Sequence, residues 1–308
     1  MAPKIDLKAY ASEVRKNMNL EVSDEIIETD LVLTLILAEL EKAGLGRDLI
    51  FKGGTLLSRN YLKYHRFSED LDFVFRDSNA IRKLTRNARE RKVKIFLDYF
   101  VPELKKVADV LEFDFSTNRS DKRYCRMLTG RTVYTFKVYY SEERYIKVEI
   151  NFIEKVVNPP IILSIKAITD FFDSKALLFT LGLEIKNFNV LSYPLEEIEL
   201  EKYRAILTRK NLAERDLFDL YFMPNSSNIN IEKVVDKIES SSLIKKQLTP
   251  LIEDKLLQLE KGVFFASKEK MLVLSITKYE QKKFEEFKQK IQPKLIEICN
   301  KFLEGSKK

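Results

Sequence analysis

Two stretches decide how this chain folds: Lys52-Gly53-Gly54-Thr55 and, beyond a spacer, Arg66-Phe67-Ser68-Glu69-Asp70-Leu71-Asp72-Phe73. Leu49-Ile50-Phe51, just ahead of the glycines, reads as a short buried strand, and residues 56–64 behind them contain no breaker and read as a helix. A glycine pair between strand and helix lets the backbone approach a ligand closely, and free N–H groups at a helix start favour phosphate. Thr55 adds a hydroxyl donor. Residues 70–75, Asp-Leu-Asp-Phe-Val-Phe, read as a strand, so Asp70 and Asp72 share one face while Leu71 and Phe73 point into a core. Two carboxylates this close repel unless a cation sits between them, and a hard ion such as Mg²⁺ suits the pair. Each half also has a plain structural reading, a tight turn and an edge strand with one wet face. Their combination in this order strengthens the chemical one.

Working outward, the first 48 residues read as helical, with Ile26, Ile27, Leu31, Leu35, Ile36 and Leu40 near helical period and Ser23 as N-cap. Ser78 is expected to cap a long helix over residues 79–109, kinked or broken at Pro102. Three β-rich runs follow, at 111–116, 132–140 and 145–152. In the last, Lys147-Val148-Glu149-Ile150-Asn151-Phe152 alternates, so Glu149 shares a face with Lys147 and Asn151 and offers a third carboxylate, as metal ligand or as base. On an ordinary half-exposed strand it would do neither. Pro159-Pro160 and Tyr193-Pro194 mark breaks before a mostly helical remainder. The expected architecture is α+β: a mixed sheet with flanking helices over residues 1–160, then a helical domain over 161–308.

Composition removes several chemistries. The 308 residues carry 54 Lys+Arg against 47 Asp+Glu, a net charge of +7, which permits a polyanionic partner. His65 is the one histidine, and Cys125 and Cys299 are far apart, so His-rich or Cys-based metal sites are excluded. Chemistry falls to carboxylates, lysines and a hard metal ion. No apolar run is long enough to span a bilayer and the N-terminus does not read as a signal peptide, so no membrane association and a cytoplasmic location are expected. Arg82, Lys83, Arg86 and Arg89 open a basic stretch extending to Lys94, and a second run holds Arg119, Lys122, Arg123, Arg126 and Arg131. Such runs are commonly solvated faces. Following the Asp-x-Asp strand, the first run also suits an RNA backbone.

The glycine turn, the Arg66-x-Ser68-x-Asp70-x-Asp72 run and the downstream Glu201-Lys202-x-x-Ala205, Arg209 and Arg215-Asp216-x-x-Asp219-Leu220-Tyr221 together resemble the AbiEii/AbiGii toxin family. These are nucleotidyltransferases of the DNA polymerase β-like superfamily, the toxin halves of toxin–antitoxin and phage-defence pairs. The resemblance implies that Gly54 and Thr55 form the phosphate turn, with Lys52, Gly53, Arg66 and Ser68 around it, and that Asp70 and Asp72 are metal carboxylates. It implies that Lys202 contacts the nucleotide's phosphates and that Asp216 orients Lys202. Glu149 stands where the superfamily often has an aspartate. Without the resemblance, Lys202, Asp216 and Asp219 read equally as an interhelical salt bridge.

The function expected is Mg²⁺-dependent transfer of a nucleoside monophosphate from an NTP to an acceptor hydroxyl, with Mn²⁺ as the alternative ion and the active site in the cleft between the two domains. The resemblance points to tRNA or another RNA as acceptor and to a cognate antitoxin as partner. The alternatives are transfer to a small-molecule or protein hydroxyl, and a non-catalytic nucleotide- or RNA-binding module.

Overall fold

The computed structural model describes residues 6–128, 130–183, 185, 187–224, 226–241, 248–265 and 276–306. The chain divides into two compact units. The first extends to Glu154 and resumes over Pro160–Tyr193; the second holds Lys155–Pro159 and the chain from Pro194 onward, apart from Ile276. Ile276 belongs with the first unit, where its N–H donates to the His65 carbonyl at 3.0 Å.

The first unit opens with α1 (Leu7–Met18) and α2 (Asp24–Lys42), followed by β1 (Leu49–Lys52), α3 (Gly53–Leu56), β2 (Asp70–Phe75), α4 (Ser78–Ile81) and α5 (Arg86–Val110). Five strands and a short helix follow: β3 (Cys125–Leu128), β4 (Val133–Tyr139), β5 (Tyr145–Asn151), β6 (Ile161–Ser164), α6 (Lys175–Thr180) and β7 (Asn189–Ser192). The strands form one mixed sheet in the order β3-β4-β5-β2-β1-β7-β6. The pairs β2–β5 and β1–β7 are parallel and the rest antiparallel.

Alternation along the strands builds one apolar face from Leu71, Phe73, Val148, Ile150, Phe136 and Val138, all buried. Helix α5 lies on it through aromatic contacts, Phe96 with Phe75 and Phe152 at 5.0 and 5.5 Å and Phe100 with Phe136 at 5.6 Å. Each fully buried ring stabilises the fold by about 1.5–3 kcal/mol. A buried ion pair fixes the helical run behind the glycine turn to α2. Arg59 Nη2 donates to Asp30 Oδ1 at 2.7 Å and to the Asp30 carbonyl at 2.8 Å, and the Tyr64 hydroxyl donates to Asp30 Oδ2 at 3.1 Å.

Three features depart from the sequence reading. The long helix expected from residue 79 is interrupted: α4 ends at Ile81, and Thr85, in an extended conformation, starts α5, which runs through Pro102 without breaking. The run 111–116 contributes one bridge, Asp114 to Tyr139, because Glu112 takes a left-handed backbone (φ 56°) that ends extended pairing there. Residues 160–193 belong to the first unit rather than the helical part, because β7 adds to β1 and the Tyr193 N–H donates to the Phe51 carbonyl at 2.9 Å.

The second unit is helical as expected: α7 (Leu195–Thr208), α8 (Glu214–Phe222), α9 (Ile231–Glu239), α10 (Thr249–Glu260) and α11 (Gln281–Ser306). Its core includes Ile198, Tyr203, Ile206, Phe218, Ile238, Ile252, Ile291 and Phe302. The buried Glu197 carboxylate ties residues 155–159 to this core. It accepts from the Val157 N–H at 3.0 Å, the Asn158 N–H at 2.8 Å and Lys237 Nζ at 2.6 Å. Among the described residues, no helix is long and apolar enough to cross a membrane.

Candidate active site

The polar face of the first unit's sheet carries the candidate chemistry. Register places Lys52 opposite Asp72, Asp72 opposite Glu149 and Glu149 opposite Thr135, a row of polar side chains across β1, β2, β5 and β4. Two residues back along β2, Asp70 lies opposite Lys147, and their charged groups are 3.2 Å apart. Burial pulls the Lys147 pKa down, but the Asp70 carboxylate, together with Tyr145 and Glu69, outweighs this and holds it above the ordinary lysine value. All these carboxylates are half-buried, and the apolar residues between them face the α5 side.

The glycine turn closes on this row. Gly53 has φ +83°, and a Cβ there would fall 2.2 Å from Asp72 Oδ2 and 2.9 Å from Asp72 Cβ, so only glycine fits. A Cβ on Gly54 would lie 2.7 Å from Arg66 Nη2 and 3.0 Å from Ser68 Oγ, which places both side chains against the turn. Arg66 is buried and donates from Nη1 to the Phe67 carbonyl at 2.7 Å, and Ser58 donates to the Arg66 carbonyl. Thr55, read as a phosphate donor, is 1% exposed and its hydroxyl donates to the Asp70 carbonyl at 2.6 Å. Its proton is committed to holding the turn on β2. Lys52 likewise has a protein partner: its ammonium lies 2.5 Å from Glu154 Oε2, and Tyr193 donates to the other Glu154 oxygen at 2.7 Å.

An all-oxygen, all-carboxylate donor set fits a hard divalent cation. Asp70 and Asp72 share a face, and the missing Cβ of Gly53 is what lets the Asp72 carboxylate sit against the turn. Glu149 is turned toward Thr135, whose hydroxyl donates to Glu149 Oε2 at 3.3 Å. Among the described residues, no three His, Cys, Asp or Glu side chains converge as a ready-made metal cage. The fit is thus to an open edge of two aspartates, with Glu149 alongside Asp72.

In the second unit, Lys202 on α7 is 8% exposed and sits between two aspartates of α8, 2.9 Å from Asp216 Oδ1 and 2.5 Å from Asp219 Oδ2. Arg209 also pairs with Asp216. The interhelical salt bridge and the orientation of Lys202 by Asp216 are one arrangement here, with Asp219 as a second, wholly buried partner.

The basic residues Arg82, Lys83, Arg86 and Arg89 do not join the carboxylate row. They follow the C-terminal end of β2, whereas Asp70 opens that strand, and α5 covers the opposite face of the sheet. Arg86 is engaged with Glu90 at 3.0 Å. Sequence reasoning missed Glu154 and the pairing of Lys147 with Asp70. The second was signalled by the period-2 pattern that sets Lys147 beside Glu149; the first had no local signal.

A mixed sheet bearing paired aspartates beside a strand–Gly-Gly–helix turn, with a lysine-bearing helical unit, defines a nucleotidyltransferase. The chain belongs to the AbiEii family, described as nucleotidyl transferase AbiEii toxin of type IV toxin–antitoxin systems, whose model matches residues 35–298. Among solved structures it is similar to MenT4, a nucleotidyltransferase toxin from Mycobacterium tuberculosis H37Rv. That match has 14% identity and a TM-score of 0.50, covering 94% of this chain and 89% of that one. At that identity the likeness concerns the fold. No individually curated protein matches the chain. Family membership makes the protein an enzyme and a toxin of a two-component system, which decides against the non-catalytic alternative and implies an NTP substrate and an antitoxin partner.

Proposed function

We propose that the protein transfers a nucleoside monophosphate from an NTP to a hydroxyl of an RNA acceptor, tRNA first among candidates, with Mg²⁺ as cofactor and Mn²⁺ as its substitute. The observation that carries this reading is the register of Asp72 with Glu149, with Asp70 two residues away on the same face and Gly53 packed against Asp72. Held at Asp70 and Asp72, the divalent ion would neutralise triphosphate charge and acidify the acceptor hydroxyl.

The chain's own groups do the rest. Gly53 and Gly54 give the phosphates close access to main-chain N–H groups, with Lys52, Arg66 and Ser68 as the polar side chains around them. Lys202, held by Asp216 and Asp219 within the helical unit, is the residue that the family resemblance assigns to the nucleotide's phosphates. The acceptor oxygen bonds to the α-phosphorus as the bond from that phosphorus to the bridging oxygen breaks and pyrophosphate leaves. The acceptor's proton passes to Glu149. Arg82, Lys83, Arg86 and Arg89 are the proposed contacts to the RNA backbone. A cytoplasmic location, where NTPs and tRNA are available, follows from the same reading.

Incubating the protein with Mg²⁺, each α-labelled NTP in turn and total RNA tests this. Label in a tRNA-sized band with wild type, and none with Asp70→Asn/Asp72→Asn, is the expected result. Label that reaches only protein or a small molecule would replace the RNA acceptor with one of those.

A further inference from the structure

The apolar face of the first unit's sheet is not fully covered by α5. Between α5 and the β3–β4 hairpin lies a groove of about 420 Å³. Its floor is aliphatic and thioether, from Val93, Leu97 and Met127, with the ring of Tyr134 beneath, and its rim carries Arg91, Lys94, Arg119 and Arg131. This face is turned away from the carboxylate row, so the nucleotidyl transfer chemistry makes no use of it.

Three observations define what would fit. First, β3 is the last strand of the sheet and is paired only with β4 among the described residues, and beyond the Cys125 N–H, which donates to the Asp121 carbonyl at 2.9 Å, its outer edge offers main-chain groups at Met127. Met127 on it, opposite Tyr134 in register and lining the groove, is 49% exposed. Second, the helix and the strand edge frame one groove, the arrangement in which an extended peptide adds a strand and drops alternate side chains into a cleft. Third, the charge is one-sided. Glu90 is shared by Arg86 and Arg131, and Asp98 by Lys94 and Arg119. Arg91 meets no carboxylate among the described residues. Two acids thus serve a rim that still has positive charge to spare.

We propose that this groove and the β3 edge bind an extended acidic polypeptide segment of a partner protein. Its backbone pairs with β3, its aliphatic side chains enter over Met127 and Leu97, and its Asp and Glu residues meet Arg91, Lys94, Arg119 and Arg131. A polypeptide fits better than a nucleic acid for two reasons. A strand edge presents alternating donors and acceptors that a peptide backbone matches, whereas a phosphodiester offers acceptors only. The floor also lacks an exposed aromatic ring on which a base could stack, Tyr134 being 9% exposed. The inference is independent of the acceptor proposed above.

The probe is a labelled ten-residue peptide alternating Glu or Asp with Val or Leu, titrated against the full-length protein by fluorescence anisotropy. Binding is expected, weakened about tenfold or more in Arg91→Glu/Arg131→Glu, with the melting temperature of the variant close to that of wild type. Hydrogen exchange at residues 125–128 should slow on adding the peptide, which a purely electrostatic contact would not produce. Absence of binding, or equal binding by the variant, overturns the proposal. So does tighter binding of an oligouridylate that displaces the peptide, which would assign the groove to RNA.

Discussion

Gly53 and Asp72 touch across the β1–β2 register so closely that a Cβ on the glycine would overlap the aspartate's carboxylate, 2.2 Å from Oδ2. The turn is therefore built against the proposed metal-binding side chain, and the two cannot be changed separately. In Gly53→Ala the new methyl must displace Asp72, and the backbone at φ +83° is strained by ~1–2 kcal/mol for any L side chain. Misplacing a reacting group by about 1 Å costs roughly 100-fold in rate, and a loss of that order is expected in the labelling assay. Gly54→Ala should be milder, because it meets the far ends of Arg66 and Ser68, which can swing aside. Equal losses in both variants would contradict the contact.

Asp70→Asn and Asp72→Asn should each lower nucleotidyl transfer by about 1000-fold, the equivalent of several kcal/mol of charge stabilisation. Their melting temperatures should change little, Asp70 giving up only a partly exposed ion pair with Lys147. Chelation with EDTA should abolish the wild-type reaction, and Mg²⁺ or Mn²⁺ should restore it. A transfer rate indifferent to EDTA would remove the metal from the proposal.

Lys202 is the only cation placed between Asp216 and Asp219 among the described ion pairs of those two residues, Arg209 reaching Asp216 alone. Lys202→Met removes a buried cation from between two buried carboxylates and should destabilise the protein by ~3–5 kcal/mol in urea unfolding. Adding Asp219→Asn should recover part of that stability while leaving transfer absent. Recovered activity in the double variant would assign Lys202 a structural role only.

Glu199, on α7, has one carboxylate oxygen buried with no hydrogen-bond partner. Burial, aided by Glu196, pushes its pKa up from 4.5 to about 7. A raised carboxylate favours the folded state while protonated, so its contribution is full below pH 4.5 and is lost as pH rises through about 7. Melting temperatures at pH 5 and pH 8 check this: wild type should fall across the interval more than Glu199→Gln, and the variant should be the more stable at pH 8. Parallel pH profiles would show that Glu199 ionises normally.

The site was legible in the sequence where its logic is local. A glycine pair after Leu49-Ile50-Phe51 and alternation through Asp70-Leu71-Asp72-Phe73 each follow from neighbours a few positions apart, and both became the elements expected. Strands β3, β6 and β7 were not legible: each is four residues long and, unlike β1, has no glycine pair to mark its end, and Cys125–Leu128 lay hidden in a run that read as surface charge. Pairings between distant positions left no trace either. Lys52 and Glu154 are 102 positions apart, and nothing near either one marks the other.

By itself the sequence determined which residues could do chemistry: two aspartates on one face, a glycine turn with room for phosphate, a lysine and aspartates on helices, and almost no histidine or cysteine. These follow from side-chain type and from spacing within one element, which backbone geometry converts directly into shared faces. Only the tertiary structure decided how those residues are used. It set Glu149 beside Asp72, spent the Thr55 hydroxyl on the Asp70 carbonyl and the Lys52 ammonium on Glu154, and moved the basic start of α5 away from the carboxylate row. Strand register and burial of the apolar face make those choices, and both depend on the whole chain at once.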